Sequence, residues 1–383
     1  MDNSFPEVKK LFGFGCMRLP MKDGEVDIEQ FKQMTDYFIQ NGFNYFDTAH
    51  GYIDGKSELA IKEALTSRYP RDSYILTDKL TGPYFKKRED IRPFFENQLK
   101  WCGVDYFDFY LMHAQTAKEF ADFKRKGAYE EALELKKEGK IRHFGISFHD
   151  KADVLDQILT EYPQIEIVQI QFNYLDYEDP SVESRKVYEV CRKHNKPMLV
   201  MEPVKGGNLV SLPDDAQKVI DDLQSDGIHK GSNASYAIRF AAGFPGIRMV
   251  LSGMSNMEQM QDNLSYMKDF QPLDDQEHAA LRKIVDVFHD TEMIPCTACH
   301  YCIEENHCPR NIRIPDMFAL MNSKTVFHDW NADFYYGVQT SDGHGKASDC
   351  IKCGRCEKVC PQHLEIRDLL TKVAAEFETK QES

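Results

Sequence analysis

Eight of the eleven cysteines in this 383-residue chain stand in two short runs near its C-terminus. The first run, residues 296–309, has three cysteines at two-residue intervals and then a fourth directly before a proline. The second run, residues 350–361, repeats that pattern with a shorter gap before its last cysteine. Three thiolates at this spacing can bind three irons of a 4Fe–4S cubane, and in two-cluster ferredoxins the fourth thiolate comes from the opposite run. The sequence therefore predicts two clusters, the first held by Cys296, Cys299, Cys302 and Cys360 and the second by Cys350, Cys353, Cys356 and Cys308.

Other uses of these cysteines fit the pattern less well. A zinc site usually takes four thiolates from two separated CxxC pairs, so the third cysteine of each run would have no role. A disulfide framework is uncommon in a chain that works in a reducing compartment. His300 and His307 lie among the cysteines, but eight thiolates suffice for two clusters, so both are interpreted as bystanders. The remaining cysteines are predicted to be small buried side chains, and they are Cys16, Cys102 and Cys191.

The net charge limits the partners that this chain can bind. With 47 Lys and Arg against 62 Asp and Glu, the formal charge is −15 at pH 7. Nucleic acids and anionic membranes both need a basic binding surface, so neither is an expected partner. The first residues lack the basic and apolar segments of a signal peptide, and no apolar run approaches the ~18 residues of a membrane-spanning helix. We therefore expect a cytoplasmic protein whose cysteines stay reduced.

The residues before the cysteine runs alternate between short apolar segments and amphipathic helical patterns. Many apolar segments lack polar alternation, which is typical of parallel strands buried on both faces. Eight strands are predicted, at residues 11–17, 43–49, 73–80, 106–113, 141–147, 166–172, 197–203 and 247–253. The helices predicted between them include residues 27–40, 89–102, 129–138, 182–194 and 234–242.

Eight strand–helix units in about 270 residues predict an α/β fold, the (β/α)8 TIM barrel. A doubly wound sheet is the alternative, but its GxGxxG fingerprint fails at Arg18, where the third glycine should stand. We predict a barrel domain at residues 1–288 and a small α-helical and loop ferredoxin-like domain at residues 289–383. In the second domain, residues 314–323 are predicted to form a helix, and residues 324–337 an aromatic-rich loop that packs on the barrel.

Three neighbouring strands are predicted to end in ionisable residues, at the carboxyl ends where TIM-barrel enzymes carry their chemistry. Asp47 ends the second strand, Lys79 the third and His113 the fourth. Tyr52 lies on the loop above Asp47. We expect the Lys ammonium to lower the pKa of the phenol and the Asp carboxylate to hold the Lys in place. Such a set can protonate an oxygen, with the His bound to that oxygen, while a hydride arrives at carbon, which is general acid catalysis of carbonyl reduction.

These residues and their surroundings resemble the aldo/keto reductase family. The resemblance spans residues 11–270 and is greatest to a bacterial branch with a C-terminal ferredoxin-like extension. It implies the family's catalytic tetrad, carried here by Asp47, Tyr52, Lys79 and His113. The stretches that carry the resemblance appear in the family's order and read FNYFDTAHGY, ILTDKL, DYFDFYLMH, GKIRHFGIS, VQIQFNYLD and VLSGMSNMEQMQDNL.

The cofactor residues implied by the resemblance are matched less completely. Ser147 and Gln169 stand where the family holds the nicotinamide carboxamide, but Phe148 replaces the usual asparagine. Met201 replaces the aromatic residue that stacks on the nicotinamide. Gly206 and the glycine after it are interpreted either as a phosphate cradle or as an ordinary turn. The segment implied to bind the adenine nucleotide supplies Gly253, Gln259, Asp262 and Asn263. Gly253 and Gln259 stand at the positions that normally bind a 2′-phosphate, and neither is basic. The cofactor therefore stays open between NADP(H), NAD(H) and no nicotinamide.

Three functional hypotheses follow. Clusters transfer single electrons, whereas a nicotinamide transfers a hydride, so coupling the two needs a converter such as a flavin. The leading hypothesis is a cytoplasmic oxidoreductase that reduces an aldehyde, ketone or related unsaturated small molecule with NAD(P)H, Tyr52 being the proton donor. The second keeps the fold but takes electrons from a ferredoxin or flavodoxin, through a bound flavin where one is present. The third is a redox-sensing or scaffold protein without catalysis, against which the complete tetrad argues.

Overall fold

The computed structural model describes residues 5–180, 182–291, 293–303, 308–326, 332–341 and 343–378. The chain divides into two compact units. The first comprises Met1–Pro203 and Ala234–Leu273, and the second comprises Val204–Asn233 and Asp274–Ser383. The second unit therefore combines the C-terminal region with an internal segment of the chain. None of the described helices is both long enough and apolar enough to cross a membrane.

The first unit contains a closed barrel of eight parallel strands, which confirms the predicted (β/α)8 fold. All eight predicted strands are present, and two additional short strands form an antiparallel hairpin after the first. The strands are β1 (Phe12–Gly15), β2 (Met21–Lys22), β3 (Glu25–Val26), β4 (Tyr45–Asp47), β5 (Ile75–Leu80), β6 (Phe107–Gln115), β7 (Ile141–Phe148), β8 (Ile167–Gln171), β9 (Met198–Met201) and β10 (Ile247–Gly253). The order round the barrel is β1-β10-β9-β8-β7-β6-β5-β4, so β4, β5 and β6 are neighbours.

The helices follow the strands in the expected alternation. They are α1 (Ile28–Gln40), α2 (Lys56–Ile61), α3 (Arg88–Cys102), α4 (Ala117–Arg125), α5 (Ala128–Lys137), α6 (Ala152–Glu161), α7 (Ser184–Lys193), α8 (Asp214–Gln224), α9 (Asn233–Ala242), α10 (Met257–Met267), α11 (Asp275–Asp290), α12 (Ile314–Thr325), α13 (Ala332–Gln339) and α14 (Ile366–Glu378). Helix α2 continues as a π-helical turn over Lys62–Thr66. The five predicted helices agree with α1, α3, α5, α7 and α9 to within two residues at each end.

The barrel interior is a packed core. Gly145 of β7 shows how closely its strands approach, because a Cβ atom there would lie 2.6 Å from the carbonyl oxygen of Ile167. The segment before β1 adds the ring of Phe5, 5.1 Å from the ring of Phe109. The other buried side chains of this core are Tyr45, Ile75, Leu111, Ile167, Leu199, Met249 and Leu251. A filled interior leaves the loops at the strand ends as the place for chemistry.

The second unit contains α8, α11, α12, α13 and α14 together with both cysteine runs. Cys302 and Cys356 are each only 7% exposed and belong to its apolar core. The other members of that core are Ile294, Ile312, Ile314, Met317, Phe318, Tyr336, Ala347, Ile366, Leu370 and Val373. One cysteine of each run therefore forms part of the interior of this unit.

One prediction for the region between the runs is confirmed and another is corrected. The helix predicted at 314–323 is α12, which ends at Thr325. The predicted loop at 324–337 is wrong over its last part, because Ala332–Gln339 forms helix α13. Tyr336 on that helix stacks on Phe377 of α14 with 4.6 Å between ring centroids, so aromatic packing stabilises a helix there. Residues 327–331 lie outside the described residues, and the packing of this segment on the barrel stays a prediction.

Candidate active site and cluster ligands

Asp47 and Lys79 form a buried ion pair at the ends of adjacent strands. Asp47 is the last residue of β4 and is 3% exposed, and Lys79 lies near the end of β5 and is 1% exposed. The Lys79 ammonium donates to Asp47 Oδ1 at 2.6 Å and to the carbonyl oxygen of Thr48 at 2.8 Å. Burial raises the pKa of Asp47, and the charge and hydrogen bond of Lys79 offset part of that rise. The pair is thus held by short hydrogen bonds where water is excluded.

Tyr52 is positioned by a tight turn between β4 and α2. The next residues Ile53, Asp54 and Gly55 all have positive φ angles, of 53°, 53° and 80°. This turn brings the Tyr52 ring over Lys79, with the ammonium 5.0 Å from the ring centroid. The phenol ring is 9% exposed, so it borders the barrel interior.

The environment of Tyr52 corrects one expectation from the sequence. Burial raises the pKa of its phenol well above the usual value, and the charges of Asp47 and Glu202 raise it further. The expected net lowering of this pKa is wrong, because burial and the two carboxylates outweigh an ammonium that faces the ring and is hydrogen-bonded to Asp47. Tyr52 is therefore a protonated hydrogen-bond donor at neutral pH.

His113 completes the set from the third adjacent strand, β6. Its ring lies 5.9 Å from the Tyr52 ring in an edge-to-face arrangement. Its Nδ1 lies 2.8 Å from the hydroxyl of Thr81. Burial lowers its pKa well below the usual value, and the positive charges of Lys79 and His149 lower it further. A neutral imidazole with Nδ1 held by Thr81 can present an N–H donor at Nε2.

The four predicted catalytic residues are thus brought together, and two further residues join them that the sequence did not single out. His149 follows the end of β7 and acts on the pKa of His113, while Glu202 follows the end of β9 and acts on that of Tyr52. Glu202 has a φ of 57°, a left-handed conformation that turns the chain as it leaves the strand. Their position close to the carboxyl ends of the predicted strands 141–147 and 197–203 was the signal in the sequence that could have identified them.

Ser147 and Gln169 lie side by side in adjacent strands, as partners in the register of β7 and β8. The Ser147 hydroxyl accepts a hydrogen bond from the amide of Ala114 at 2.8 Å and retains a proton to donate. Gln169 is 2% exposed, and its Oε1 has no hydrogen-bond partner among the described residues. A carboxamide group, which has an N–H donor and a carbonyl acceptor, would satisfy both side chains. These two residues therefore fit a nicotinamide.

The residues implied for the adenine nucleotide lie at the end of β10 and on α10. Asn263 is buried and engaged within the protein, since it donates to Ser252 Oγ at 3.2 Å and accepts from Tyr266 at 2.5 Å. Gln259 Oε1 accepts from the amide of Ser255 at 2.7 Å. Asp262 is half-buried on the first turns of α10, and Met201 is half-buried at the end of β9. These contacts fix the segment, and its role in nucleotide binding stays a prediction.

A cation that the sequence did not indicate lies beside this segment. A Cβ atom built on Gly253 would lie 3.1 Å from Cβ of Arg18, so the arginine stem covers this glycine. The hydroxyl of Ser255 also donates to the carbonyl oxygen of Arg18 at 3.1 Å. The two predicted 2′-phosphate positions are uncharged, but an arginine from the loop after β1 stands next to one of them.

The proposed ligands of the second cluster line a single cavity in the second unit. The cavity is bordered by Cys308, Cys350, Cys353 and Cys356, the four cysteines that the spacing groups together. Gly354 has a φ of 69° and Lys352 a φ of 54°, so left-handed turns bend the chain between the cysteines. Four thiols around one space are the donor set that a 4Fe–4S cluster requires.

The proposed ligands of the first cluster are also close neighbours. Burial raises the pKa of the Cys302 thiol strongly, and the nearby sulfurs of Cys299, Cys296 and Cys360 raise it further. Ala298 and His300 have φ angles of 48° and 67°, which bend the chain between these cysteines as in the second run. A buried thiol whose neighbours oppose its ionisation would be stabilised as a thiolate by bound iron. The residues therefore fit the predicted cluster.

The loop that follows β9 is fixed to the first cysteine run within the second unit. Lys205 is 3% exposed, and its ammonium donates to Gln362 Oε1 at 3.0 Å. Asn208 Nδ2 donates to the carbonyl oxygen of Cys296 at 3.2 Å. A Cβ atom on Gly206 would lie 2.5 Å from the carbonyl oxygen of Thr297. Protein therefore covers the side of Gly206 that a phosphate cradle would use. The glycine pair forms part of a 3-10 turn.

A buried pair of carboxyl groups lies on the outer side of β5. Glu58 and Asp78 are fully buried, and Asp78 accepts from the amide of Lys79 at 2.8 Å. Burial raises the pKa of Glu58 to about 7, and burial together with Glu58 raises that of Asp78. Gln98 donates to Glu58 at 3.2 Å. This pair was not predicted, because both residues stand in ordinary helix and strand patterns.

Comparisons with known protein families agree with the two-part organisation. The sequence model of the aldo/keto reductase family matches residues 12–286. The model of the 4Fe-4S dicluster domain matches residues 295–365. The uncharacterized oxidoreductase YqkF of Bacillus subtilis is 25% identical over 280 residues, which are 66% of this chain and 85% of YqkF. The NADH-specific methylglyoxal reductase of Escherichia coli is 30% identical over 186 residues, which are 44% of this chain and 54% of the reductase.

Solved structures share the barrel. An aldo-keto reductase from Klebsiella pneumoniae in complex with NADPH superposes with a TM-score of 0.57 at 22% identity, covering 72% of this chain and 90% of that protein. The holo form of an aldo-keto reductase from Bacillus halodurans gives a TM-score of 0.57 at 23% identity, covering 72% and 92%. At this identity the likeness establishes the fold alone.

Proposed function

The chain belongs to the aldo/keto reductase family, and from this premise we propose that it reduces a small carbonyl compound, an aldehyde or ketone, at the barrel mouth. The observation that carries the proposal is the contact of Tyr52, Lys79, Asp47 and His113 at the ends of three adjacent strands. The chain is thus an oxidoreductase with a 4Fe-4S dicluster domain at its C-terminus. A redox-sensing or scaffold role without catalysis is disfavoured by this family membership.

In the proposed reaction Tyr52 is the general acid. Its phenol is protonated at neutral pH because burial and two nearby carboxylates oppose ionisation. It donates its proton to the carbonyl oxygen as the substrate carbon accepts a hydride, and the product is an alcohol. The phenolate left on Tyr52 faces the Lys79 ammonium, 5.0 Å from the ring centroid, which favours its formation in the transition state. His113, neutral and held by Thr81, orients the same oxygen through its other ring nitrogen.

We propose NAD(P)H as the hydride source, since Ser147 and Gln169 can bind the carboxamide of a nicotinamide. A bound nicotinamide supplies two electrons and a proton equivalent as a hydride. The NADPH complex of a related barrel and the NADH-specific name of a relative support this class of cofactor without choosing between the two forms. Met201 lies at the position implied for stacking. The segment with Gly253, Gln259, Asp262 and Asn263 is proposed to bind the adenine end.

We also propose that the eight C-terminal cysteines hold two 4Fe–4S clusters, which supply one-electron transfer when bound. The cavity lined by Cys308 and the second run supports the second ligand set. The effect of Cys296, Cys299 and Cys360 on the buried Cys302 thiol supports the first. The domain boundary near residue 288 is kept as a proposal, supported by matched regions that end at 286 and begin at 295. Such clusters suit a reducing cytoplasm, where we expect the protein to work.

A second candidate function keeps the barrel but uses a ferredoxin or flavodoxin as the electron source, with a bound flavin as converter. The observation that favours it is the presence of single-electron cluster sites, which a nicotinamide-dependent reductase does not need. The two candidates are distinguished by the electron donor that supports turnover.

The decisive experiment is turnover by protein purified without oxygen, with iron and sulfide measured on the same sample. We expect about eight irons per chain and oxidation of NADPH or NADH with small aldehydes. Tyr52→Phe, which removes only the phenolic hydroxyl group, should lower kcat by about 10²–10⁴-fold. Tyr335→Phe is the matched control, because Tyr335 is 49% exposed on α13 and should leave turnover unchanged.

Three outcomes separate the hypotheses. Activity with reduced ferredoxin but with neither nicotinamide supports the second candidate. Full activity of Tyr52→Phe contradicts the proposed general acid in both. Zinc in place of iron contradicts the cluster assignment.

A further inference from the structure

The second cysteine set reaches the protein surface. Cys353 is the most exposed of the eight C-terminal cysteines, which are otherwise half-buried or buried. Ile351, two residues earlier, is 53% exposed. Both residues border the cavity that is lined by the four cysteines of this set. An electron carrier could therefore approach the proposed second cluster directly.

Exposed cations line this opening or lie close to its cysteines in the chain. Lys352 and Arg355 flank Cys353 in the chain and are exposed, as is Lys358. Arg310 is exposed too and lines the same cavity. None of these four cations forms an ion pair with a carboxylate of the described residues, whereas Arg367 at the same cavity is paired with Glu357 at 2.7 Å. We call Arg310, Lys352, Arg355 and Lys358 the cationic rim.

The cationic rim contrasts with the charge of the rest of the chain. The protein has a formal charge of −15, yet residues 350–358 contain three cations and one acid, and residues 308–313 contain two cations and no acid. Two glutamates at positions 304 and 305 lie outside the described residues. A positive and partly apolar surface on an acidic protein attracts an acidic partner.

We propose that the cationic rim docks a small acidic one-electron carrier protein of the ferredoxin or flavodoxin type. The inference rests on the proposed function, because it requires the second cluster to be bound by Cys308, Cys350, Cys353 and Cys356. In each encounter one electron passes from the reduced carrier to that cluster, so the carrier is oxidised and the cluster is reduced by one electron. No proton or bond has to move in this step. The unpaired cations steer the carrier, and Ile351 provides the apolar contact at the centre of the surface.

The test is stopped-flow reduction of the anaerobically purified full-length protein by a reduced bacterial two-cluster ferredoxin. A variant with Lys352→Gln, Arg355→Gln and Lys358→Gln removes three charges of the rim and no cysteine. We expect its second-order rate constant at low salt to fall about tenfold or more, because steering is lost. Between ~0.01 M and ~1 M salt the Debye length falls from ~30 Å to ~3 Å, so the wild-type rate should drop towards that of the variant.

A matched control keeps the number of removed charges constant. Lys218→Gln, Arg282→Gln and Lys283→Gln change three exposed cations of α8 and α11 in the same unit. This control should keep the wild-type rate and salt dependence. Two small oxidants of opposite charge provide a second measurement. In the wild type, the rim should favour electron transfer from the reduced protein to anionic hexacyanoferrate(III) over cationic hexaammineruthenium(III). The rim variant should lose that preference.

The outcomes separate the docking surface from the proposed function. If iron content and the cluster spectrum are intact but the rim variant and the control react alike, the docking surface is wrong and the cluster assignment survives. If the protein holds no 4Fe–4S clusters, both fall together. If sedimentation shows a low-salt dimer that the rim variant abolishes, the rim contacts a second copy of the chain and the carrier proposal is overturned.

Discussion

The barrel mouth and the cysteine runs assemble their reactive groups by opposite means. At the mouth, Asp47, Lys79 and His113 are separated by dozens of residues and are brought together by the register of three parallel strands. In the cysteine runs, proposed ligands with two residues between them converge because residues with positive φ angles, such as Ala298 and Lys352, bend the chain locally. The first arrangement is fixed by the fold of the whole barrel. The second arrangement depends on local turns and on the clusters that the cysteines are proposed to bind. It is therefore the more fragile of the two arrangements.

Among the described residues each of the two units buries one lysine, and these lysines contact different kinds of acceptor. Lys79 is 1% exposed and donates to the carboxylate of Asp47. Lys205 is 3% exposed and donates to the neutral amide oxygen of Gln362. The barrel lysine is half of an ion pair, and the second-unit lysine joins two parts of the chain that are 157 residues apart. The comparison leads to four predictions, in order of decreasing effect.

The largest effect is expected from Lys79→Met in the barrel. The substitution leaves Asp47 buried without its partner, which should cost about 3–5 kcal/mol of unfolding free energy. It should also lower kcat by about 10²–10⁴-fold, because the phenolate of Tyr52 loses its cation. Denaturant unfolding and steady-state kinetics measure the two effects. The double variant Asp47→Asn with Lys79→Met should recover stability but not turnover, and recovery of both would contradict the catalytic role of the pair.

Two ligand substitutions compare the buried and exposed parts of the cysteine runs. Cys302→Ser and Cys353→Ser should each reduce the iron content, since each removes one proposed ligand. Of these two cysteines only Cys302 belongs to the apolar core, so replacing its thiol with a hydroxyl should lower the free energy of unfolding by a further ~1–3 kcal/mol. Iron analysis and thermal unfolding measure these effects on matched samples. Equal losses of stability would show that burial of the ligand does not matter.

Gly206→Ala tests how the loop after β9 is held by the first cysteine run. The new Cβ would lie 2.5 Å from the carbonyl oxygen of Thr297, and Gly206 has a φ of 68°. Gly207→Ala is the matched control, with a φ of 109° and no atom within 4 Å of the new Cβ. Both substitutions strain the backbone by roughly 1–2 kcal/mol, but only Gly206→Ala should also lower the iron content. Identical behaviour of the two would show that contact with Thr297 is unimportant.

The smallest effect concerns the pH dependence of stability. The pKa of Glu58 is raised to about 7 in the folded protein, from 4.5. A raised carboxyl pKa means that the folded state binds the proton more tightly than the unfolded state, so stability is lost as pH rises from 4.5 towards 7. Glu58→Gln should flatten that decline in unfolding experiments between these pH values. A decline unchanged in the variant would assign it to another group.

The sequence predicted the barrel well because its strands are apolar on both faces and recur with regular spacing. The contacts of the tetrad followed from strand adjacency, since residues at the carboxyl ends of neighbouring strands meet at one edge. The grouping of cysteines followed from local spacing alone. These features depend on residue type and order, which a sequence records directly.

Other features depend on burial, which a sequence records poorly. The predicted direction of the Tyr52 pKa shift was wrong, because burial and the charge of Glu202 raise this pKa by more than the nearby ammonium lowers it. The Glu58–Asp78 pair was missed because each residue fits the pattern of its own element. Helix α13 was predicted as a loop because its aromatic residues gave no clear period, whereas Tyr336 and Phe377 stack across two helices.

The hydrogen bond from Lys205 to Gln362 spans 157 residues of chain. On the ribosome, which adds about 5–20 residues per second, the lysine must wait on the order of ten seconds or more for its partner to be made. During that interval the loop after β9 has been synthesised but cannot form its hydrogen bond to Gln362. The second unit can therefore finish folding only near the end of synthesis, and a fragment that stops at residue 288 would leave this lysine permanently without Gln362.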